Sequence, residues 1–318
     1  MRKTAALVLT VGLMASLAAC SPATEEEAAT GECITSGSAS DSVSVSGDFG
    51  TKPEVEVEPE TTVAASERTE VIEGEGEPAK AGDFVKFDYT ILNGETGEEI
   101  EDTPYDGSAS LSGVDLLLPV LTDTLLCSST GSRVVGVGST EGLADEGLTA
   151  LGLTAESTLV IAADVTTIVT PLPKADGEDQ AMPDGFPAVE VAVADDSAGT
   201  PTVTIPDTEA PAELQLAVLK KGDGAVVEPA SDVVVNYQGT IWASKTVFDD
   251  SWTNGYKAAF DTSQVIPGFT QALEGQTVGS QVLVTIPPAL GYGEGGQPGA
   301  GIAGTDTLVF IVDILGVG

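Results

Sequence analysis

Residues 233–239 read Val-Val-Val-Asn-Tyr-Gln-Gly, and residues 265–275 read Val-Ile-Pro-Gly-Phe-Thr-Gln-Ala-Leu-Glu-Gly. In the first stretch Val233, Val235 and Tyr237 alternate with other positions, so they share one face of an extended chain. The second stretch reads as a short helix. Pro267 suits a first helical position, Phe269 and Leu273 lie four apart on one face, and Gly275 stops it. Further on, Val282 and Val284 alternate again, and residues 308–315 are a run of branched apolar residues typical of a buried strand. A sheet with one short helix over its apolar face is an α+β design.

The same text stands 148 residues earlier. Pro53, Gly74, Gly76, Val85 and Tyr89 meet Pro201, Gly222, Gly224, Val233 and Tyr237 without a gap, and the register holds through Pro119 and Pro267, Gly131 and Gly279, Ser132 and Ser280. A self-similarity this long sets the architecture, and 318 residues suit two domains of roughly 100 to 150 each. The expected division is a first domain over residues 47–170, a linker over 171–194 punctuated by Pro171, Pro173, Pro183 and Pro187, and a second domain over 195–318. Strand-like pieces at 55–57 and 203–205 occupy matching positions and are counted inside the domains.

The chain opens Met1-Arg2-Lys3, continues with an apolar run over residues 5–19, and reaches Leu17-Ala18-Ala19-Cys20. The run is shorter than the roughly 20 residues a spanning helix needs, so residues 1–19 read as a signal peptide. Small residues before a cysteine resemble a bacterial lipobox. That resemblance implies a diacylglyceryl group on Cys20 and a mature chain tethered outside the cytoplasmic membrane. Residues 20–46, rich in Ser, Thr, Ala and Glu, are expected to be a flexible tether. Cys33 and Cys127 remain, an even number in a compartment that permits disulfides, and a bond between them is expected against the alternative of two buried thiols.

Formal net charge is -38, from 50 acidic and 12 basic residues, which argues against nucleic acid and anionic headgroups as partners. With no histidine there is no Ser-His-Asp triad, no Cys-His pair and no histidine metal ligand. Residues 293–299 are glycine-rich but lack the strand-to-helix context of a phosphate cradle. Acidic clusters such as Glu98-Glu99-Glu101-Asp102 lack the fixed spacing of a calcium loop. No cofactor and no metal are expected.

In the second repeat, Val235-Asn236-Tyr237-Gln238-Gly239, Phe248-Asp249, Val265-Ile266-Pro267-Gly268-Phe269, Leu290-Gly291-Tyr292-Gly293 and Thr307-Leu308-Val309-Phe310 follow in order. This succession resembles the FKBP family of peptidyl-prolyl cis-trans isomerases over about residues 213–318. The resemblance implies two tandem FKBP-like domains, each an antiparallel β-sheet wrapped around one short helix. It makes Tyr237, Phe248, Val265, Ile266, Phe269, Tyr292, Ile302 and Phe310 the walls and floor of a proline pocket, with Asp249 as its polar contact. It further implies unfolded or newly secreted proline-containing proteins as clients and macrolides as inhibitors. Phe269 stands where the family usually carries tryptophan, Ala258 where an aromatic wall is common, and Ala303-Gly304 where a proline pair is usual. The first repeat keeps Tyr89, but Ile100-Glu101 replaces Phe248-Asp249, Leu121 replaces Phe269, and residues 138–156 contain no counterpart of Tyr292. It is therefore expected to be a catalytically weak or dead copy. The competing expectation for the whole chain is a membrane-tethered binding module or chaperone without useful catalysis.

Overall fold

The computed structural model describes residues 33–183, 186, 189–194 and 198–318. The signal peptide, Cys20, the first part of the tether and Pro187 lie outside the described residues.

In chain order the first repeat contains α1 (Ser38–Ser42), β1 (Ser44–Ser46), β2 (Glu54–Glu56), β3 (Glu67–Ile72), β4 (Phe84–Asn93), β5 (Glu99–Asp102), β6 (Ser112–Gly113), α2 (Pro119–Leu125), β7 (Arg133–Ser139), α3 (Asp145–Ala150) and β8 (Thr158–Val169). The second contains β9 (Glu178–Asp179), β10 (Glu190–Val193), β11 (Pro201–Thr204), β12 (Gln215–Lys221), β13 (Asp232–Ile241), β14 (Val247–Asp250), α4 (Ser251–Asn254), β15 (Ala258–Asp261), α5 (Pro267–Leu273), β16 (Gln281–Ile286) and β17 (Leu308–Val317). The main sheets share one topology. The first runs β3-β7-β8-β4-β5 with β6 on β4, and the second runs β12-β16-β17-β13-β14 with β15 on β13, plus β9 beside β12. All pairings are antiparallel.

Helices α2 and α5 begin on Pro119 and Pro267, as their sequences demand, and α5 ends before Gly275, whose φ of 79° is the left-handed turn that glycine tolerates. Each helix buries its apolar side in its own sheet: Val120, Leu121 and Leu125 in the first, Phe269, Ala272 and Leu273 in the second. The short helices α1, α3 and α4 have no strong apolar period, and sequence reading passed over them.

The opposite face of each sheet is also covered, which is why β16 is buried along its whole length. Over the first sheet lies the hairpin β1–β2, with Ala39, Val43, Val45 and Val55 packed on Leu92, Val135, Val137 and Val160. Over the second lies β10–β11, with Val189, Val191, Val203 and Ile205 packed on Trp242, Leu283, Val309 and Ile311. Two sequence expectations are corrected here. Residues 33–46 are folded rather than a flexible tether, because intermittent valines cap an apolar sheet face that would otherwise meet water. The described parts of the segment 171–194 are laid onto the second sheet rather than left as a linker. Leu172 N–H donates to Leu315, Gly177 N–H to Gly279, and β9 and β10 both pair within the second repeat. The second folded unit therefore begins before residue 195.

The two repeats dock within one compact unit. Phe84, Leu111 and Val169 of the first form a buried cluster with Val234 and, partly buried, Ala259 of the second. Beside it Lys86 Nζ meets Asp232 at 2.7 Å.

Cys33 is bonded to Cys127, with Cα atoms 5.7 Å apart and 94 residues between them in sequence. Closing so long a loop restricts the unfolded chain, so Cys33→Ser is expected to lower stability by about 2–4 kcal/mol. Denaturant titration with and without reductant checks this. Reduced wild type should match the variant, and an unchanged midpoint on reduction would contradict it.

Candidate active site

Tyr237 points from β13 into the space between sheet and α5, and its neighbour on that face, two residues on, is Gly239. A Cβ at Gly239 would fall 2.8 Å from the Phe310 ring and closer still to Phe248, so the bare glycine makes room for both rings. Phe248 reaches this space through a β-bulge. Gly239 pairs with Asp249 and Thr240 with Val247, which leaves Phe248 as the extra residue and turns it out of the ladder. Phe310 comes from β17 opposite Gly239, Phe269 from the first turn of α5, and Val265 and Ile266 from the turn before it. Tyr292 arrives from the glycine-rich segment after β16.

These side chains converge. Tyr237, Phe248, Asp249, Val265, Ile266, Phe269, Tyr292 and Phe310 line one cavity of about 310 Å³, together with Phe260 and Gln264. The rings form a mutually edge-on cage, with centroids 5.1 Å apart for Phe269 and Phe310, 5.4 Å for Tyr237 and Phe260, 5.6 Å for Phe248 and Phe310, and 5.8 Å for Phe260 and Phe269. Edge-to-face packing is favourable for such pairs and leaves a rigid apolar wall.

Of the nine residues expected in the pocket, Ile302 is the exception. It is buried in the core of the second repeat, does not border the cavity, and exchanges backbone hydrogen bonds with Gln297 to close the loop below Tyr292. An apolar residue in a glycine-rich loop reads equally well as wall or core, and here the core claims it. Phe260 was missed. Ala258 leaves the wall open where the family usually carries an aromatic, and Phe260, two residues on and so on the same face of β15, fills it. That alternation was the available signal.

The polar groups are few and placed. Tyr237 donates its hydroxyl hydrogen bond to Asp249 Oδ2. Burial first, and then that bond, push the Tyr237 hydroxyl well above the usual tyrosine range, so it stays protonated. Tyr292, partly exposed at the mouth, is pushed upward by burial and secondarily by the Asp249 charge. Among the described residues no backbone acceptor takes the Ile266 N–H, at the start of α5.

The first repeat keeps the frame without the slot. Tyr89 donates to Glu101 at 2.9 Å, with its hydroxyl pushed up to about 12, mainly by burial. The bulge is kept too, around Ile100. However, Ile91 stands where Gly239 is bare, and Ile91, Leu121 and Ile161 pack together in the core with Ile100, Leu117 and Leu118 against them.

An antiparallel sheet folded over one short helix appears twice in this chain, and in the second copy an aromatic slot opens between sheet and helix. A family model described as FKBP-type peptidyl-prolyl cis-trans isomerase matches residues 224–315. The chain is 36% identical over 119 residues to an FK506-binding protein of Streptomyces anulatus, covering 37% of this chain and 96% of that one. It is 41% identical over 100 residues to the FKBP-type peptidyl-prolyl cis-trans isomerase FkpA of Escherichia coli, covering 31% of this chain and 36% of the relative. The crystal structure of FkpA from Escherichia coli aligns at 39% identity over 33% of this chain and 47% of that chain, with a TM-score of 0.31. The chain belongs to the FKBP-type peptidyl-prolyl cis-trans isomerase family.

Proposed function

We propose that the second repeat accelerates cis–trans isomerisation of X-Pro bonds in newly secreted proteins, and that the first is a non-catalytic copy. The observation that carries this is the shared aromatic cavity around Tyr237, Asp249 and Tyr292. An X-Pro bond rotates over a barrier of about 18–20 kcal/mol because amide resonance resists twisting. No nucleophile is needed. A water-poor slot removes the solvent that stabilises the charge-separated amide, and a rigid ring cage holds the prolyl ring while the preceding carbonyl turns. The Ile266 N–H and the Tyr292 hydroxyl are the donors to substrate carbonyls, and Asp249, held by Tyr237, polarises the rotating group. The same slot is the expected seat of macrolide inhibitors.

The rest of the reading supports an extracytoplasmic setting. The order of charge, apolar run and Leu-Ala-Ala-Cys at residues 1–20 supports lipid attachment at Cys20 and a tether to the outer face of the cell membrane. Disulfide chemistry is at home there. The charge of -38 argues against nucleic acid as a partner.

The full-length chain is to be assayed on a prolyl tetrapeptide by protease-coupled or exchange NMR kinetics. A rate no faster than buffer, with unfolded chains still bound, would replace this reading with the binding-module one. Tyr292→Phe and Asp249→Ala are each expected to lower kcat/KM about tenfold, the worth of one hydrogen bond of about 1–1.5 kcal/mol, without unfolding the protein. Wild-type rates in both variants would show the donor and acceptor assignments to be wrong.

A further inference from the structure

Among the described residues Leu116 is the most exposed large apolar side chain, at 58%, and Tyr256 is tied with Val247 next, at 46%. Leu116 belongs to the first repeat and Tyr256 to the second, yet both line one groove of about 200 Å³ at the junction of the repeats. Phe84, Val114 and Asp115 continue the first-repeat wall, and Lys257 stands beside Tyr256 on the other. The groove is built in. Phe84 also belongs to the buried cluster that joins the repeats, next to the Lys86–Asp232 ion pair.

The groove adjoins the active-site cavity. Tyr256 and Lys257 run directly into β15, whose Phe260 walls that cavity. The Tyr256 phenol is close enough to influence the ionisation of Tyr237 inside it. Tyr256 precedes Phe260 by four residues, across a bend that leads into β15. Large apolar side chains exposed together along a groove mark an interaction site in a soluble protein. A pair contributed by two repeats exists only where the repeats dock.

We infer that this groove is an accessory subsite for an extended apolar stretch of the same client polypeptide whose proline occupies the aromatic cavity, an inference that rests on the isomerase reading. Leu116 and Tyr256 are its apolar jaws, with Asp115 and Lys257 left at the rim for backbone and polar groups. A tetrapeptide with its proline in the cavity extends only two or three residues to a side, roughly 7–10 Å, and has little chain left to lie along the groove between Tyr256 and Leu116. A longer client reaches it and gains affinity that a tetrapeptide cannot.

The test uses the full-length protein and 16-residue peptides with one central proline. In two versions a Leu-Phe pair lies five to seven residues before or after the proline, and in a control both are serine. Wild type is expected to show a KM about five- to tenfold lower for one apolar version than for the control. Leu116→Asp should erase that difference while leaving kcat/KM on a tetrapeptide within about twofold, as expected for an exposed residue outside the cavity. Equal KM values in wild type, or an undiminished preference in Leu116→Asp, would overturn the subsite. A Leu116→Asp effect on sedimentation instead of on peptide KM would assign the groove to a second copy of the chain and overturn it too. If wild type fails to turn over even the tetrapeptide, the isomerase reading fails. Fluorescence anisotropy of the same peptides then decides the groove, with loss of the apolar preference in Leu116→Asp upholding it and no change sinking it.

Discussion

Gly239→Ile is expected to lower isomerase kcat/KM about 100-fold or more in a protein that still folds, because a displacement of about 1 Å in an active site can cost that much. The substitution copies the first repeat, where Ile91 sits at the matching place and is packed in the core. In the second repeat a Cβ alone comes within 2.8 Å of Phe310 and closer to Phe248, so the added branches must push one or both rings into the slot. Inserting methylenes into a packed region costs about 1–3 kcal/mol, and the melting temperature should fall accordingly. The second half of the argument uses the other difference between the repeats. Phe248→Ile, copying Ile100, removes the nearer of the two rings that the new side chain strikes, and Phe310 remains. The double variant should therefore recover part of the lost stability without recovering turnover. Tetrapeptide kinetics and thermal melts on the single and double variants check this. A folded Gly239→Ile protein with near-wild-type turnover would disprove the claim that the bare glycine opens the slot.

That comparison also explains what was legible in the sequence. The repeat, the helix and most of the slot are encoded locally: Pro267 and Gly275 bracket a helix by their own backbone restrictions, and Tyr237, Phe248, Asp249, Phe269 and Phe310 stand at fixed spacings from it. Phe260 was hidden because its strand is only four residues long, starts with two alanines, and exists through pairing with β13 about 25 residues away. Ile302 was misplaced because hydrophobicity does not distinguish a cavity wall from the core behind it. Residues 33–46 and 171–194 read as tether and linker because the strands within them offer the sheet only one or two apolar side chains, such as Val45 and Val191. Such a strand has too little period to register. Docking between the repeats depends on Phe84, Leu111, Val169 and Val234 meeting across the junction, and no local pattern carries that.

The second large effect is expected at Arg133, whose side chain is 1% exposed. Its Nε and Nη2 donate to both oxygens of Asp164, at 2.6 and 2.7 Å. Its remaining donors reach the carbonyls of Gly47, Asp48 and Thr51 at 2.7, 3.0 and 3.0 Å. Asp164 in turn accepts from the Gly50 N–H at 2.7 Å. One guanidinium thus ties the turn of the covering hairpin to the sheet beneath it. Arg133→Ala leaves a buried carboxylate and three carbonyls without their partner, and removing one member of such a pair costs about 3–5 kcal/mol. The second repeat shows a milder solution at the matching position. Gln281 donates to Asp313 at 2.7 Å, Ala175 N–H donates at 2.9 Å, and burial, as the main cause, pushes the Asp313 carboxyl upward. Arg133→Gln is therefore expected to cost less than Arg133→Ala. Denaturant titrations of both variants read this directly, and the tetrapeptide rate, which depends on the second repeat, should hold wherever the chain stays folded. A loss under about 1 kcal/mol in Arg133→Ala, or a loss in Arg133→Gln as large as in Arg133→Ala, would contradict the role of the pair.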